Sequence, residues 1–241
     1  MKVSIVIPAF NEEKLLGGTL ASVSTASEAF ARRGWDVEVL VCDNNSTDRT
    51  ASIARAAGAQ VVFEPVNQIG RARNTGAAAA TGDWLVFVDA DSSPSTALFD
   101  AVAREIQSGR VIAGGSTVRL DGGGWTLRML VEAWNVVSRC LGWMAGSFIF
   151  VERAAFESLG GFSPLLFAAE EIDLSKRLKP LARQSGRRLR IVSEAPLLTS
   201  ARKEHLYTPA ELIRFTLRGL IRPRSTVQSR EACSPWYDGR R

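Results

Sequence analysis

The chain has 241 residues, of which 46% are hydrophobic and 23% charged, and its formal net charge is +5. This balance is typical of one globular domain with a sizeable core, and it excludes a disordered or fibrous protein. No apolar run reaches the roughly 18–20 residues that span a bilayer, and the opening MKVSIVIPAF predicts a short strand rather than a signal peptide. Three scattered cysteines, Cys42, Cys140 and Cys233, fit neither a disulfide framework nor a zinc cluster, so we expect a reducing, cytoplasmic location.

The first half of the chain alternates between predicted strands and predicted helices. Strands are predicted at VSIVIPAF, DVEVLVCD, AQVVFEP and WLVFVDAD, with helices between them at NEEKLLGGTLASVSTASEAFARRG, NNSTDRTASIARAAG and GRARNTGAAAATG. Glu12 and Glu13 are expected early in the first helix, where carboxylates interact favourably with the helix dipole. Repeated strand–helix units with apolar strands predict an α/β domain built on a mostly parallel, doubly wound sheet flanked by helices.

The second half begins with a predicted helix near 96–108. A strand RVIAGGSTVRL, the Trp- and aliphatic-rich helix WTLRMLVEAWNVVSRCLGWM, the strand GSFIFV and the short helix RAAFESLGGF follow in that order. The next helix, AEEIDLSKRLKPLARQSG, has an acidic start and a basic end that suit its dipole. The segment RLRIV is then predicted to return to the sheet, so this half extends the same domain.

The basic excess lies entirely at the C-terminus. Residues 202–241 contain nine Lys or Arg and four Asp or Glu, whereas residues 1–201 contain equal numbers of basic and acidic residues. We therefore place a compositional boundary near 201 and predict a basic helical extension over 202–241. Within it, PAELIRFTLRGLIRPRS puts aliphatic residues on one face and arginines on the other, which fits an interfacial membrane helix or a helix docked on its own domain.

Two aspartates lie one residue apart where the fourth predicted strand ends. In DWLVFVDADSSPS, the apolar run stops at Asp89, and Asp91 precedes a Ser/Pro turn. Burial of an unpaired carboxylate is costly, so the pair should face water or hold a positive group. Ligands of doubly wound sheets bind beyond the carboxyl ends of the strands, where Asp43 also lies. The pair is therefore predicted at a binding site, although solvated turn residues or a helix cap would give the same pattern.

Five segments in order resemble the family 2 glycosyltransferases of the GT-A fold, which transfer a sugar from a nucleotide diphosphate to an acceptor. They are SIVIPAFNEE, VCDNNSTDRT, GRARNTGAAAATGDWLVFVDADS, GSFIFVERAAFESLGGF and EEIDLSKRL, and they cover most of residues 3–178. The resemblance implies one GT-A domain over 1–201, with a nucleotide-binding half at about 1–95 and an acceptor half at about 96–201. It also implies that Mn²⁺ or Mg²⁺ stabilises the diphosphate leaving group.

The D-x-D sequence and the preceding loops supply the donor-site residues that the resemblance implies. Asp91 would ligate the metal directly, Asp89 would lie nearer the ribose and metal, and Ala90 stands between them. Further nucleotide contacts are implied for five residues: Pro8, Phe10, Glu12, Asp43 and Arg71. Other interpretations stay open, because Pro8 and Phe10 also fit a rigid turn and a packing residue, and Asp43 also fits a helix cap. Arg71 is preferred to Arg73, which can instead tie its helix to the sheet.

The inverting reaction of this family needs a base for the acceptor hydroxyl, which the family takes from the second acid of an E-D pair. Glu170 and Glu171 occupy that pair here, so Glu171 is the expected base and Glu170 the alternative. Alternatively, acidic residues at a helix start only interact favourably with the helix dipole and take no part in catalysis. In LTSARKEHLYT, His205 would reach the metal, and Arg202 and Lys203 would reach the phosphates. A surface position is the alternative for His205.

The sequence therefore predicts a metal-dependent transferase that moves one sugar from a UDP- or GDP-sugar to an acceptor hydroxyl or lipid phosphate with inversion. Single transfer is expected because the Q-x-x-R-W element of processive synthases is absent. The alternatives are retaining chemistry on the same fold and a non-catalytic phosphate- or nucleic-acid-binding protein. A sugar-nucleotide pyrophosphorylase and a Rossmann dehydrogenase are disfavoured, because neither of their Gly-rich loops follows the first strand.

The expected partners are a nucleotide sugar and a lipid-linked or small-molecule acceptor, and no nucleic acid. The basic C-terminal helix adds the possibility of peripheral contact with the inner face of the membrane.

Overall fold

The structure is a computed structural model of the chain and describes residues 1–201, 227–229 and 231–233. The predicted amphipathic helix at 209–224 lies outside the described residues, as do Arg202, Lys203 and His205. The predictions made for them therefore stay predictions.

Within residues 1–201, eight strands form one sheet and seven helices connect them. The strands are β1 (Lys2–Ala9), β2 (Asp36–Asp43), β3 (Gln60–Phe63), β4 (Trp84–Val88), β5 (Ser92–Ser93), β6 (Val111–Leu120), β7 (Phe148–Glu152) and β8 (Arg188–Thr199). The helices are α1 (Leu16–Ala31), α2 (Thr50–Ala56), α3 (Ile69–Ala79), α4 (Thr96–Gln107), α5 (Trp125–Leu141), α6 (Arg153–Ser158) and α7 (Glu170–Gln184).

The strand order is β3-β2-β1-β4-β7-β6-β8-β5. The first four strands in this order, β3, β2, β1 and β4, are parallel to one another, and β6 is parallel to β8. Strand β7 is antiparallel to both of its neighbours, β4 and β6. The predicted α/β fold with a mostly parallel sheet is confirmed. The direction of β7 is not evident from the sequence, because a buried apolar strand has the same pattern in either direction.

Two apolar clusters cover the two faces of this sheet. One contains buried residues of α1 and α4, with the rings of Phe30 and Phe99 stacked at 5.0 Å. The other contains residues of α3, α6 and α7, and there Phe87 packs against Phe156 and Phe162 at 5.4 and 5.2 Å. The central strands are buried on both faces, which explains why their sequences are apolar without alternation.

The first helix begins later than its sequence indicates. The prediction that Glu12 and Glu13 lie in its opening turn is wrong, because α1 starts at Leu16 and its first turn has no acidic residue. The Glu12 carbonyl accepts a hydrogen bond from the Leu16 N–H at 2.9 Å, and the Glu12 N–H donates to Thr50 Oγ1 at 2.8 Å. The loop after β1 is therefore tied to α2 instead of being wound into a helix.

The short C-terminal stretches that the structure describes lie against the domain. The Phe167 N–H donates to the Val227 carbonyl at 2.6 Å, and Cys233 is buried. The three cysteines are free thiols. Among the described residues, no helix combines the length and the hydropathy that crossing a membrane requires.

Candidate active site

The loops that follow β2, β1 and β4 meet at one edge of the sheet, because these neighbouring strands are parallel. Ala9 at the end of β1 pairs with Asp43 at the end of β2, and β4 lies on the other side of β1. Asp89 and Asp91 directly follow β4. Candidate residues that are far apart in sequence are therefore placed along one edge, as the doubly wound topology requires.

A pocket of about 260 Å³ opens beside the end of β4. Its charged lining comes from three parts of the chain, namely α3, the loop after β4 and the start of α7: Arg73, Asp89, Asp91, Glu170 and Glu171. The rest of the lining comes from segments around Gly146, Ala168 and Ser200, and none of these three residues was among the predicted site residues. The structure thus gathers four of the acidic residues that the sequence indicates, together with one arginine.

Arg73 is the cation of this pocket and is only 1% exposed. Its Nη1–H donates to Glu170 Oε1 at 2.7 Å, and its Nη2–H donates to Asp89 Oδ1 at 2.9 Å and to the Gly146 carbonyl at 2.7 Å. The guanidinium lies over the Phe162 ring, 5.3 Å from its centroid. Burial opposes the charge, but the surrounding carboxylates outweigh it and raise the pKa of Arg73.

Small residues on α3 turn Arg73 towards this pocket. Gly70, Arg73 and Gly76 recur at three-residue spacing on the buried side of the helix. A Cβ at Gly76 would lie 2.4 Å from Val6 Cγ1 on β1, so only glycine permits this close approach of α3 to the sheet. Arg71 lies on the exposed side and does not line the pocket. The glycine spacing is the sequence signal that could have favoured Arg73 over Arg71.

The two neighbouring glutamates at the start of α7 have different surroundings. Glu170 is buried and ion-paired with Arg73. Glu171 is half-buried and lines the pocket. Burial, and then repulsion by Glu170, raise the pKa of Glu171 to about 8, although Arg73 opposes the shift. Glu170 therefore has a structural partner, whereas Glu171 has the environment of a proton-transfer group.

The aspartates after β4 are held by backbone as well as side-chain bonds. The Asp89 N–H donates to the Ser147 carbonyl, and the Asp91 carbonyl accepts from the Ser200 N–H, both at 3.1 Å. Asp89 is 26% exposed even though it is bonded to Arg73. Both aspartates are thus fixed in position while their carboxylates border the pocket.

The donor atoms of this pocket suit a hard divalent cation. Within the described residues, no three His, Cys, Asp or Glu side chains form a metal-binding cluster. Mg²⁺ and Mn²⁺ commonly take only one or two protein carboxylates and fill the other positions with phosphate oxygens and water. Four carboxyl groups face the single guanidinium of Arg73 in this pocket, and a divalent cation would offset the excess of acidic groups.

The other predicted site residues do not line this pocket. Ala90 belongs to the core, where its carbonyl accepts a hydrogen bond from Thr19 Oγ1 at 2.7 Å. Pro8 lies within β1 and pairs with Cys42 of β2. Phe10 is half-buried in the loop after β1. Their predicted nucleotide contacts are not tested by this arrangement and stay predictions.

The loops after β1 and β2 hold each other in place next to the pocket. Asn11 adopts a left-handed conformation with φ of 52°, and its N–H donates to Ser46 Oγ at 3.0 Å. Its Oδ1 accepts from the Thr47 N–H at 2.8 Å. Asp43 Oδ1 accepts from the Ser46 N–H at 3.0 Å, so this carboxylate closes the turn after β2 rather than capping α2. Glu12 in the first loop is buried.

The family model described as glycosyl transferase family 2 matches residues 4–158, well over half of the chain. The chain belongs to this family. The matched region contains Arg73, Asp89 and Asp91, and it ends before the glutamates of α7. An uncharacterized glycosyltransferase of Mycobacterium tuberculosis is 33% identical over 141 residues, which cover 57% of this chain and 60% of that relative. The match thus spans less than two thirds of the relative's length.

Two solved structures have a similar fold. Staphylococcus aureus TarS 1–349 in complex with UDP-GlcNAc has a TM-score of 0.63 and 21% identity, covering 98% of this chain and 69% of that chain. Glucosyl-3-phosphoglycerate synthase from Mycobacterium tuberculosis, in complex with Mn²⁺, UDP and phosphoglyceric acid, has a TM-score of 0.62 and 24% identity, covering 91% and 76%. These likenesses confirm the GT-A fold of the family 2 enzymes that the sequence indicates.

Proposed function

We propose that the protein transfers one sugar from a UDP- or GDP-sugar to an acceptor hydroxyl or lipid phosphate, in a metal-dependent and inverting reaction. The observation that carries this proposal is the convergence of Arg73, Asp89, Asp91 and Glu171 on one pocket at the sheet edge. Family membership supports sugar transfer. The solved relatives in complex with UDP-GlcNAc, or with UDP and Mn²⁺, favour a uridine nucleotide as the donor.

On the donor side, Asp91 would hold the metal ion directly, and Asp89 would lie nearer the ribose and the metal. A bound Mn²⁺ or Mg²⁺ ion would neutralise the negative charge that develops on the departing diphosphate. Arg73 holds the Asp89 carboxylate at 2.9 Å, so that carboxylate is in place before the donor arrives. The nucleoside would extend from there along the sheet edge towards Phe10 and Asp43.

On the acceptor side, Glu171 is the proposed base, because Glu170 is bonded to Arg73. The Glu171 carboxylate takes the proton of the acceptor hydroxyl, and the resulting oxygen attacks the anomeric carbon opposite the leaving diphosphate. A pKa of about 8 makes Glu171 a stronger proton acceptor than an ordinary carboxylate, although only its deprotonated form can act. Inversion follows from attack on the face opposite the leaving group.

Calorimetry of UDP-sugar binding, with Mn²⁺ or with a chelator, tests the donor side of this proposal. We expect the chelator to abolish binding, and Asp91→Ala to weaken Mn²⁺-dependent binding by roughly tenfold or more, since it removes one metal ligand. Asp83→Ala is the control, because Asp83 precedes β4 at the opposite end of the strand. Equal affinity of wild type and Asp91→Ala in the presence of Mn²⁺ would contradict a metal bridge through Asp91.

A further inference from the structure

Helix α5 is attached to the domain through two buried polar side chains. Its buried residues are Asn135 and Ser138. Asn135 Oδ1 accepts from the Val118 N–H and Asn135 Nδ2–H donates to the Val118 carbonyl, both at 2.9 Å. Ser138 Oγ–H donates to the Trp143 carbonyl at 2.6 Å. The fully buried residues of α5 are therefore polar, whereas those of an ordinary surface helix are apolar.

The apolar side of α5 consequently faces outwards. Trp125, Met129, Leu130 and Val136 are 76%, 62%, 67% and 58% exposed. With Val137 and Leu141, they recur at spacings of four and seven residues, so they form one stripe along the helix. We call this stripe the α5 apolar face. An apolar surface of this extent is typical of an interaction site rather than of a free surface.

Arginines border the α5 apolar face near both ends of the helix. Near its start, Arg119 and Arg128 line a recess of about 280 Å³. Near its end, Arg139, Arg188 and Arg190 line a recess of about 490 Å³. Arg128 and Arg139 are eleven residues, or three turns, apart and therefore lie on the same flank of α5. The face is thus bordered by two basic recesses, each large enough for a phosphate group.

Most of this positive charge is not neutralised by nearby acids. Arg190 is paired with Glu105 at 3.1 Å. The other arginines of the two recesses form no ion pair within residues 1–201, and all of them are exposed: Arg119, Arg128, Arg139 and Arg188. Glu132, the single acidic residue in the sequence of α5, lines the recess of Arg119 and Arg128 and offsets one of their two charges. The recesses therefore present a net positive charge to whatever contacts the helix.

Both ends of α5 adjoin the candidate active site. Just before the helix, the Asp121 N–H donates to the Thr199 carbonyl at 3.0 Å, and Thr199 lines the pocket. Just after it, Gly146 lines the same pocket and accepts a hydrogen bond from Arg73. A surface that rests on α5 therefore lies next to the pocket.

We propose that the α5 apolar face and its two basic recesses dock the protein on an anionic lipid bilayer. The aliphatic and indole side chains enter the interface, and the arginines near the two ends of the helix bind lipid phosphates. The positive charge of the recesses favours an anionic bilayer over a second copy of the chain and over the chain's own C-terminal segment. A second copy paired symmetrically through α5 would bring the same arginines together, and the segment 202–226 is itself basic, with six Lys or Arg and two acids.

Docking through α5 presents the pocket to molecules carried in the membrane. A lipid-borne acceptor, such as one with a headgroup hydroxyl or phosphate, would then reach Glu171 from the bilayer, a consequence that rests on the proposed function. Docking itself does not depend on the chemistry, so it can be measured separately.

Sedimentation of the full chain with phosphatidylglycerol-containing vesicles, at low and high salt, tests the docking surface. We expect salt-sensitive binding to these vesicles and little binding to pure phosphatidylcholine. The double substitution Met129→Gln with Leu130→Gln should weaken binding roughly tenfold or more, and Arg128→Gln and Arg139→Gln roughly fivefold each. Phe63→Gln, which changes an exposed residue on β3, and Arg55→Gln on α2 are the matched controls and should bind like wild type.

Several results would overturn the docking surface. These are no binding of wild type to anionic vesicles at low salt, binding that the α5 substitutions leave unchanged, and a wild-type dimer that those substitutions dissociate. The second result would move the contact to another surface, such as the segment 202–226, and the third would identify a second copy as the occupant. Mn²⁺-dependent UDP binding, measured on the same variants, should stay at the wild-type level. Failure of docking with retained UDP binding therefore leaves the proposed function intact.

Discussion

The guanidinium of Arg73 faces carboxylates from two separate parts of the chain, Asp89 after β4 and Glu170 at the start of α7. Because both acids lie within 3 Å of it, this one side chain fixes the distance between the D-x-D loop and the helix that carries Glu171. Without a cation between them, the carboxylates would repel each other in a partly dehydrated pocket. Arg73 is therefore a positioning residue for both sides of the proposed reaction.

Arg73→Met should lower the free energy of unfolding by about 3–5 kcal/mol, because it leaves Glu170 buried without its cation. Urea denaturation near pH 7 measures this change. Arg71→Met is the matched control, since Arg71 is exposed on the same helix, and it should alter stability by no more than about 0.5 kcal/mol. Similar losses in the two variants would show that Arg73 does not hold the pocket together.

At the scale of elements, the glycine spacing on α3 is what allows Arg73 to reach the pocket. Gly76 lies where α3 crosses β1, and Val6 leaves no room there for a Cβ. Glycine in a helix is ordinarily unfavourable because of its conformational freedom. Its presence on the buried side of α3 is explained by the close contact with the sheet.

Gly76→Ala should destabilise the protein by about 1–3 kcal/mol, because the added Cβ would lie 2.4 Å from Val6 Cγ1 and α3 would have to shift. Gly18→Ala is the control within another helix. A Cβ there meets no atom within 4 Å, so the substitution should be neutral or stabilise by up to about 1 kcal/mol. Thermal unfolding of the two variants gives the comparison, and a harmless Gly76→Ala would contradict the close packing.

The elements that the sequence predicts best are those that pack in the ordinary way, with their apolar residues towards the core of the domain. The strands and helices of the first half follow their apolar patterns, since both faces of β1, β2 and β4 are buried by helices of the same domain. The pattern of α5 predicts a helix but not its orientation, because the rule that apolar faces point inwards fails where Asn135 and Ser138 make the contacts. Likewise, the choice between Arg71 and Arg73 depends on which side of α3 packs on the sheet, and the spacing of Gly70 and Gly76 is the only sequence signal of that side.

At the scale of the whole molecule, the candidate site combines contributions from both halves of the sheet. Arg73 and the aspartates come from the first half, whereas the glutamates and the segment around Gly146 come from the second. The D-x-D pair and the acidic pair are evident from sequence because they stand at element ends. The pairing of Asp89 and Glu170 with the same buried arginine is not evident from sequence, because it requires the fold to place β4 and α7 against α3.

The dependence of global stability on pH follows from groups with opposite pKa shifts. Burial opposes ionisation of Glu38, but hydrogen bonds from Lys2, Ser4 and Thr81 outweigh it and lower the pKa to about 2, from 4.5. A lowered pKa stabilises the folded state above about pH 4.5, and that contribution is lost on acidification towards pH 2. For Glu171 the pKa is raised to about 8, so the folded state keeps a proton that the unfolded chain releases near 4.5. Its contribution is complete below about pH 4.5 and is lost as the pH rises to 8.

We therefore expect the metal- and nucleotide-free protein to be most stable near pH 5. Urea denaturation at intervals from pH 3 to 9 measures this profile. Glu171→Gln, which cannot ionise, should remove most of the decline between pH 5 and 8, with a difference from wild type on the order of 2–4 kcal/mol at pH 8. Glu38→Gln should instead reduce the decline below pH 4.5. Glu157 is an exposed glutamate on α6, so Glu157→Gln should leave the declines on the acidic and the alkaline side unchanged. If the stability of Glu171→Gln still declined between pH 5 and 8 as in wild type, Glu171 would not be the group that is protonated at neutral pH. Its assignment as the proposed base would then lose its electrostatic support.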